Sequence, residues 1–151
     1  MVKVLFVCLG NICRSPMAEA VFRKMVEEEG LSKQIEIDSA ATSSWEHGNP
    51  VHQGTKERLA RENISVAGMY SRTLEDRDLA NDYIVAMDES NIKNIQKFIG
   101  KRPSGQVKML LEYAGLKRGI ADPWHTKDFD KTYEDVLLGC KALLEKIKEE
   151  L

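Results

Sequence analysis

Residues 2–30 constrain the fold more than any other part of the chain, because they read as strand, short loop and helix without interruption. Val2-Lys3-Val4-Leu5-Phe6-Val7-Cys8 is a compact run of β-branched and aromatic residues, the pattern of a central strand buried on both faces. The run stops at Gly10-Asn11. After Ser15-Pro16 the apolar residues Ala18, Val21, Phe22, Met25 and Val26 recur at helical spacing, with Pro16 suited to a first turn and Gly30 placed to end the helix.

The rest of the chain repeats this alternation. Ile35 and Ile37 alternate with acids in a second strand, and Ser39 to Pro50 is rich enough in Ser, Gly and Pro to predict a loop. Val51 to Asn63 predicts a helix with a weak apolar face, and Tyr83 to Met87 a third buried strand ending in Asp88-Glu89-Ser90. Ile92, Ile95, Phe98 and Ile99 mark a helix that stops at Gly100. A fourth strand is expected at Val107 to Leu111, then an irregular stretch from Gly115 to Lys131. A long amphipathic helix carrying Val136, Leu137, Cys140, Leu143, Leu144 and Ile147 on one face closes the chain. Alternating strands and helices predict an α/β fold, a parallel sheet covered on both faces with its functional loops at the carboxyl ends of the strands. Cys8, Ser39, Asp88 and Asp122 all fall at those ends.

Composition narrows the class. With 151 residues, 42% hydrophobic and 30% charged, and no linker or repeat, residues 1–151 are expected to form one domain that needs neither disulfides nor a structural metal. Three cysteines, Cys8, Cys13 and Cys140, are too few and odd in number for a secreted disulfide framework, so a reducing compartment is expected. The apolar start is short and broken by Lys3, unlike a signal-peptide core or a membrane span, which makes the cytoplasm the expected location and membrane insertion unexpected. A net charge of −2 gives no field that would draw in nucleic acid, so any anion must be held by local geometry.

That geometry is legible in Cys8-Leu9-Gly10-Asn11-Ile12-Cys13-Arg14-Ser15-Pro16. A Cys and an Arg six apart bracket a loop running from a strand end into a helix start, which makes Leu9, Gly10, Asn11, Ile12, Cys13, Arg14 and Ser15 a candidate phosphate cradle. Successive backbone N–H groups can point inward, the helix N-terminus adds positive potential, and a guanidinium at the rim can grip two oxygens of a tetrahedral anion. A thiol at the base of that cradle feels the same dipoles and charge, which favour its thiolate. Cys8 is therefore the candidate nucleophile. The second half of such a reaction needs a group that gives and takes a proton, and Asp122, in Ile120-Ala121-Asp122-Pro123-Trp124-His125, is the carboxyl best placed to do both. Read alone, Asp-Pro is also a common turn dipeptide.

The opening V-C-L-G-N-I-C-R-S-P-M-A-E-A, the S-S-W-E-H-G-N-P loop, the Y-I-V-A-M-D-E-S-N segment and the late D-P-W resemble the low-molecular-weight protein tyrosine phosphatases in order along essentially the whole chain. The resemblance implies a four-stranded parallel sheet in the order 2-1-3-4 with helices on both sides. It implies that Cys8 forms a phosphocysteine, that Arg14 binds phosphate and stabilises the transition state, and that Asp122 is general acid and then base. It further implies that Asn11 shapes the loop in a left-handed conformation against Ser39, and that Ser15 donates to the Cys8 thiolate. Many relatives carry a His where Met69 stands here, which leaves the Asn11 network a partner short or differently satisfied. By the same resemblance the partners are tyrosine-phosphorylated proteins; a monomer or weak self-association is expected, and no cofactor, since a thiolate attacking phosphate needs no metal.

Trp45 and Trp124 are expected to flank the cradle as aromatic walls, or else to be partly core. Ile12 stands where phosphoarginine-hydrolysing relatives resemble Thr, which favours phosphotyrosine. Cys13 resembles the second loop cysteine that pairs reversibly with an oxidised nucleophile, and equally suits a small residue filling the helix start; Cys140 is expected in the core. His47, His52 and His125 lack metal-ligand spacing and read as loop or surface residues, His125 at the pocket rim. An arginine phosphatase and an arsenate reductase of the same fold are the rival readings, the second lacking a relay of cysteines between Cys13 and Cys140. A phosphocysteine carrier would leave Arg14 and Asp122 unexplained, and a phosphotyrosine-binding module would not need the acid.

Overall fold

A computed structural model describes residues 1–151. Four parallel strands, β1 (Val2–Cys8), β2 (Ile35–Ala41), β3 (Tyr83–Ala86) and β4 (Gln106–Met109), form one sheet in the order β2-β1-β3-β4. Helices α1 (Arg14–Glu28) and α5 (Phe129–Lys148) cover one face with α2 (Gln53–Ala60), and α3 (Glu89–Ile99) covers the other. The alternation within β1 decides which side chain goes where. Val4, Phe6 and Cys8 join the larger core with Phe22, Leu110 and Leu143, whereas Leu5 and Val7 join a smaller one with Ile84, Ile95 and Ile99. Because β1 is paired on both edges and buried on both faces, it carries no polar side chain after Lys3.

The chain leaves β1 for β2 on one side and then crosses to β3 on the other. The carboxyl end of β1 is therefore the point where strand order reverses, and a crevice opens there. Cys8 is its last residue.

Several boundaries differ from the sequence expectation. β2 continues through Ser39, Ala40 and Ala41, paired with Phe6, Val7 and Cys8, so Ser39 sits on a strand rather than in the loop. Helix α2 is shorter than Val51–Asn63, because the His52 side chain caps it by accepting from the Gly54 N–H at 3.0 Å. Leu110 and Leu111 leave β4 for a 3-10 turn, Leu110–Ala114, that tucks both under α5. Inside the stretch expected to be irregular lies a four-residue helix, α4 (Pro123–Thr126), and α5 begins at Phe129 behind an Asp128 cap. A further 3-10 turn at Asp76–Ala80 had no sequence signal beyond its Glu75 and Asp78 capping pair. No helix is long and apolar enough to cross a membrane.

Candidate active site

The loop after β1 turns around the Cys8 sulfur. The Asn11 N–H donates to Cys8 Sγ at 3.3 Å and the Ser15 N–H at 3.5 Å, so the first turn of α1 and the loop both aim at one atom. Asn11 makes this turn possible with φ of 56°, the left-handed region that Asn tolerates better than other side-chain-bearing residues. Its side chain then fixes the loop from behind. Nδ2 donates to Ser15 Oγ at 2.7 Å and to Ser39 Oγ at 2.9 Å, and Oδ1 accepts from the Arg72 N–H at 3.1 Å. Since Ser15 Oγ accepts from Asn11, its own hydrogen is left for Cys8 Sγ, 3.1 Å away. Ser39 passes its hydrogen on to Glu19 Oε1 at 2.5 Å, and Arg23 pairs with the other oxygen of Glu19 at 2.8 Å.

Met69 packs at the edge of the larger core, and the Asn11 network is made by Ser15, Ser39 and the Arg72 backbone, with Ser39 held in turn by Glu19. Ser71 adds a tie from the same segment, its hydroxyl donating to the Gly10 carbonyl at 2.8 Å.

Arg14 is 3% exposed, which would be costly for an unpaired guanidinium. Its Nη1 donates to Asp88 Oδ2 at 2.7 Å and to the Ile120 carbonyl at 2.8 Å, and its Nη2 stands 3.6 Å from Asp122 Oδ2. Asp88 itself caps α3 through Asn91. The brace thus joins the ends of β1 and β3 to the segment before α4. Asp122 caps α4, with Oδ1 accepting from the Trp124 N–H at 3.0 Å, so one carboxylate oxygen is tethered and the other faces Arg14.

Cys8, Leu9, Gly10, Ile12, Cys13, Arg14 and Asp122 surround a cleft of 270 Å³ whose mouth is framed by Trp45, Glu46, Trp124 and His125. Both tryptophans belong to the mouth and not to the core, being 78% and 47% exposed. Asn11, Ser15 and Ser39 lie behind the cradle and not on its wall. Cys140 is fully buried in the larger core. Burial, reinforced by the nearby Cys8 and Asp122 charges, pushes the Cys13 thiol up to about 12, and burial pushes the Cys140 thiol well up too. Both stay protonated near neutral pH.

Two contributors have no local sequence signal: Glu19 lies inside an apolar helix pattern and Glu46 is one acid within a polar loop. Asp88 was expected in a loop at a strand end, but its pairing with Arg14, 74 residues away, was not. His52, expected in a loop or at the surface, is the half-buried residue that caps α2, and its ring packs behind Trp124.

Residues 3–151 match the family model described as "Low molecular weight phosphotyrosine protein phosphatase". The chain is 44% identical to the low molecular weight protein-tyrosine-phosphatase YfkJ of Bacillus subtilis, covering 99% of this chain and 98% of that one. It is 45% identical to the low molecular weight protein-tyrosine-phosphatase PtpA of a Staphylococcus aureus strain, over 97% and 94% of the two chains. The crystal structure of YfkJ superimposes with a TM-score of 0.95 over 99% of this chain and 96% of that one. The crystal structure of a Drosophila arginine phosphatase, 31% identical, superimposes with a TM-score of 0.90 over 97% and 98%.

Proposed function

This chain belongs to the low molecular weight phosphotyrosine protein phosphatase family, and on that premise we propose that it hydrolyses phosphotyrosine in proteins through a phosphocysteine on Cys8. The observation that carries the reading is the Cys8 sulfur itself. Two backbone N–H groups and the Ser15 hydroxyl converge on it, a pattern suited to a negatively charged atom.

Cys8 Sγ attacks phosphorus while the bond from phosphorus to the phenolic oxygen breaks, and the Asp122 carboxyl gives its proton to the departing oxygen. Arg14, already braced by Asp88, grips two phosphoryl oxygens as the loop N–H groups receive the rest of the developing charge. Water then attacks phosphorus, Asp122 takes its proton, and the bond from sulfur to phosphorus breaks to return thiolate and inorganic phosphate. The 3.6 Å approach of Asp122 to Arg14 supports this pairing of roles, since it puts the proton carrier at the rim of the cradle.

Trp45 and Trp124 suit a flat phenyl ring, and the depth of the cradle disfavours a shorter phosphoserine. Ile12 on the wall has no hydroxyl to offer a guanidinium, which favours phosphotyrosine over phosphoarginine. Cys13 is proposed as the thiol that closes on an oxidised Cys8. The partners are tyrosine-phosphorylated proteins in the cytoplasm, met by a single domain of residues 1–151 that is monomeric or weakly self-associating.

The test is hydrolysis of an aryl phosphate by the purified protein. Cys8→Ser is expected to abolish turnover, and Asp122→Ala to lower kcat by about two to four powers of ten with little loss of phosphate binding. Turnover retained in Cys8→Ser refutes the thiolate mechanism. Preference for a phosphoarginine peptide over a phosphotyrosine one refutes the reading of Ile12.

A further inference from the structure

We propose that His52 is a positioning residue that holds Trp124 as a wall of the cleft and so sets the enzyme's grip on aromatic phosphate esters. The inference rests on the phosphatase reading above.

Three attachments locate the residue. The His52 N–H donates to the Ile12 carbonyl at 2.8 Å, joining its backbone to the phosphate loop. Its Nδ1 accepts from the Gly54 N–H at 3.0 Å, which places the lone pair on Nδ1 and the ring hydrogen of the neutral imidazole on Nε2. Its ring lies stacked on Phe129, with centroids 5.3 Å apart at 19°, and meets the Trp124 indole edge-on at 5.4 Å and 78°. Trp124 is also the residue whose N–H holds Asp122 Oδ1. One residue, by its backbone and its ring, therefore connects the phosphate loop, the aromatic wall and the start of α5.

The far side of this brace is built as well. A Cβ at Gly54 would lie 2.3 Å from the Phe129 ring, so Phe129 can reach under His52 only because position 54 has no side chain. Lys127 extends its ammonium over the Trp124 ring at 5.4 Å, and its Nζ donates to the Trp124 carbonyl at 2.7 Å. Without the His52 ring, the indole loses its aromatic partner and keeps the cation–π contact with Lys127.

The plainer role of His52 is to cap α2, and two substitutions separate the roles. Asn caps a helix well but has no ring, and Phe supplies a ring but no acceptor. His52→Asn is expected to raise KM for para-nitrophenyl phosphate about three- to tenfold, the loss expected for an edge-on aromatic contact. Its kcat should change less than its KM, and the Ki of inorganic phosphate, which sees only the cradle, should move less than twofold. His52→Phe is expected to lower the unfolding temperature while keeping KM within about twofold. In a Trp45→Phe background, Trp124 is the only indole, and His52→Asn should make its emission more accessible to acrylamide.

The proposal is overturned if His52→Asn keeps the parent KM, if phosphate Ki rises in step with KM, or if acrylamide quenching of Trp124 is unchanged. Absence of aryl phosphatase activity in the unsubstituted protein overturns the phosphatase reading alone, since the quenching measurement still decides the brace.

Discussion

Replacing Asn11 tests the framework behind the cradle most directly, because that residue joins backbone geometry and hydrogen bonding in one side chain. Three side-chain hydrogen bonds, to Ser15, Ser39 and the Arg72 backbone, are lost in either Asn11→Gly or Asn11→Ala. At a net value near 1 kcal/mol each, their loss costs about 3 kcal/mol. The two variants then diverge. Gly adopts the φ of 56° freely, whereas Ala adds about 1 kcal/mol for holding a Cβ in the left-handed region. The expected losses are therefore about 3 kcal/mol for Asn11→Gly and about 4 for Asn11→Ala, measured by urea unfolding followed by circular dichroism. Both variants should also bind inorganic phosphate more weakly, because the Asn11 N–H and the Ser15 hydroxyl lose their fixed directions toward Cys8. Equal stability of the two variants refutes the backbone argument. Losses below about 1 kcal/mol in both refute the claim that the buried network supports the loop.

Two further predictions follow from the titrating groups. Iodoacetamide at neutral pH should alkylate Cys8 alone and be slowed by phosphate, since Cys13, pushed up to about 12, and the fully buried Cys140 remain thiols; peptide mapping that finds Cys13 modified first refutes this. Burial on its own would raise the Asp135 carboxyl, but the hydrogen bonds and charges of Arg118 and Lys131 outweigh it and hold the group below the ordinary carboxylate range. A carboxyl lowered on folding stabilises the protein above its unfolded value, and that contribution is lost as pH falls through its native value. Asp135→Asn should thus unfold at a lower temperature than the parent at pH 7, with the gap closing below about pH 4; a gap independent of pH refutes the pairing.

The sheet was legible because periodicity reports burial. β1 and β3 are apolar on both faces and could be read almost to the residue, and Gly100 ended α3 where expected. Boundaries failed where burial and hydrogen bonding parted from pattern. Ser39 to Ala41 looks like loop by composition, yet its small residues pair with Phe6 to Cys8 along the β2 edge. Likewise Leu110 and Leu111 look like strand but reach the core by a tight turn. In the site, the placement of Cys8, Arg14 and Asp122 around one cleft was readable because they stand at a strand end, at a helix start and in the loop before α4. The roles of Glu19 and His52, and the partner of Asp88, were not, because they consist of contacts with residues remote in sequence, and a lone acid or imidazole in a polar context carries no pattern.

The reversal of strand order at β1 has a consequence for timing. The cradle continues the strand that is paired on both edges, so deforming it means breaking the sheet, and its amides should exchange with solvent as rarely as the whole protein unfolds. Asp122 and Trp124 instead ride on a four-residue helix held by a few side-chain contacts, and that segment can open at a small fraction of the cost. The loop around Cys8 should therefore exchange on the timescale of global unfolding and the segment from Asp122 to Trp124 on that of local opening, a difference that amide hydrogen exchange measures. Opening of that segment would let inorganic phosphate leave while the loop around Cys8 keeps its shape, and it would carry Asp122 out and back with Trp124 in each cycle.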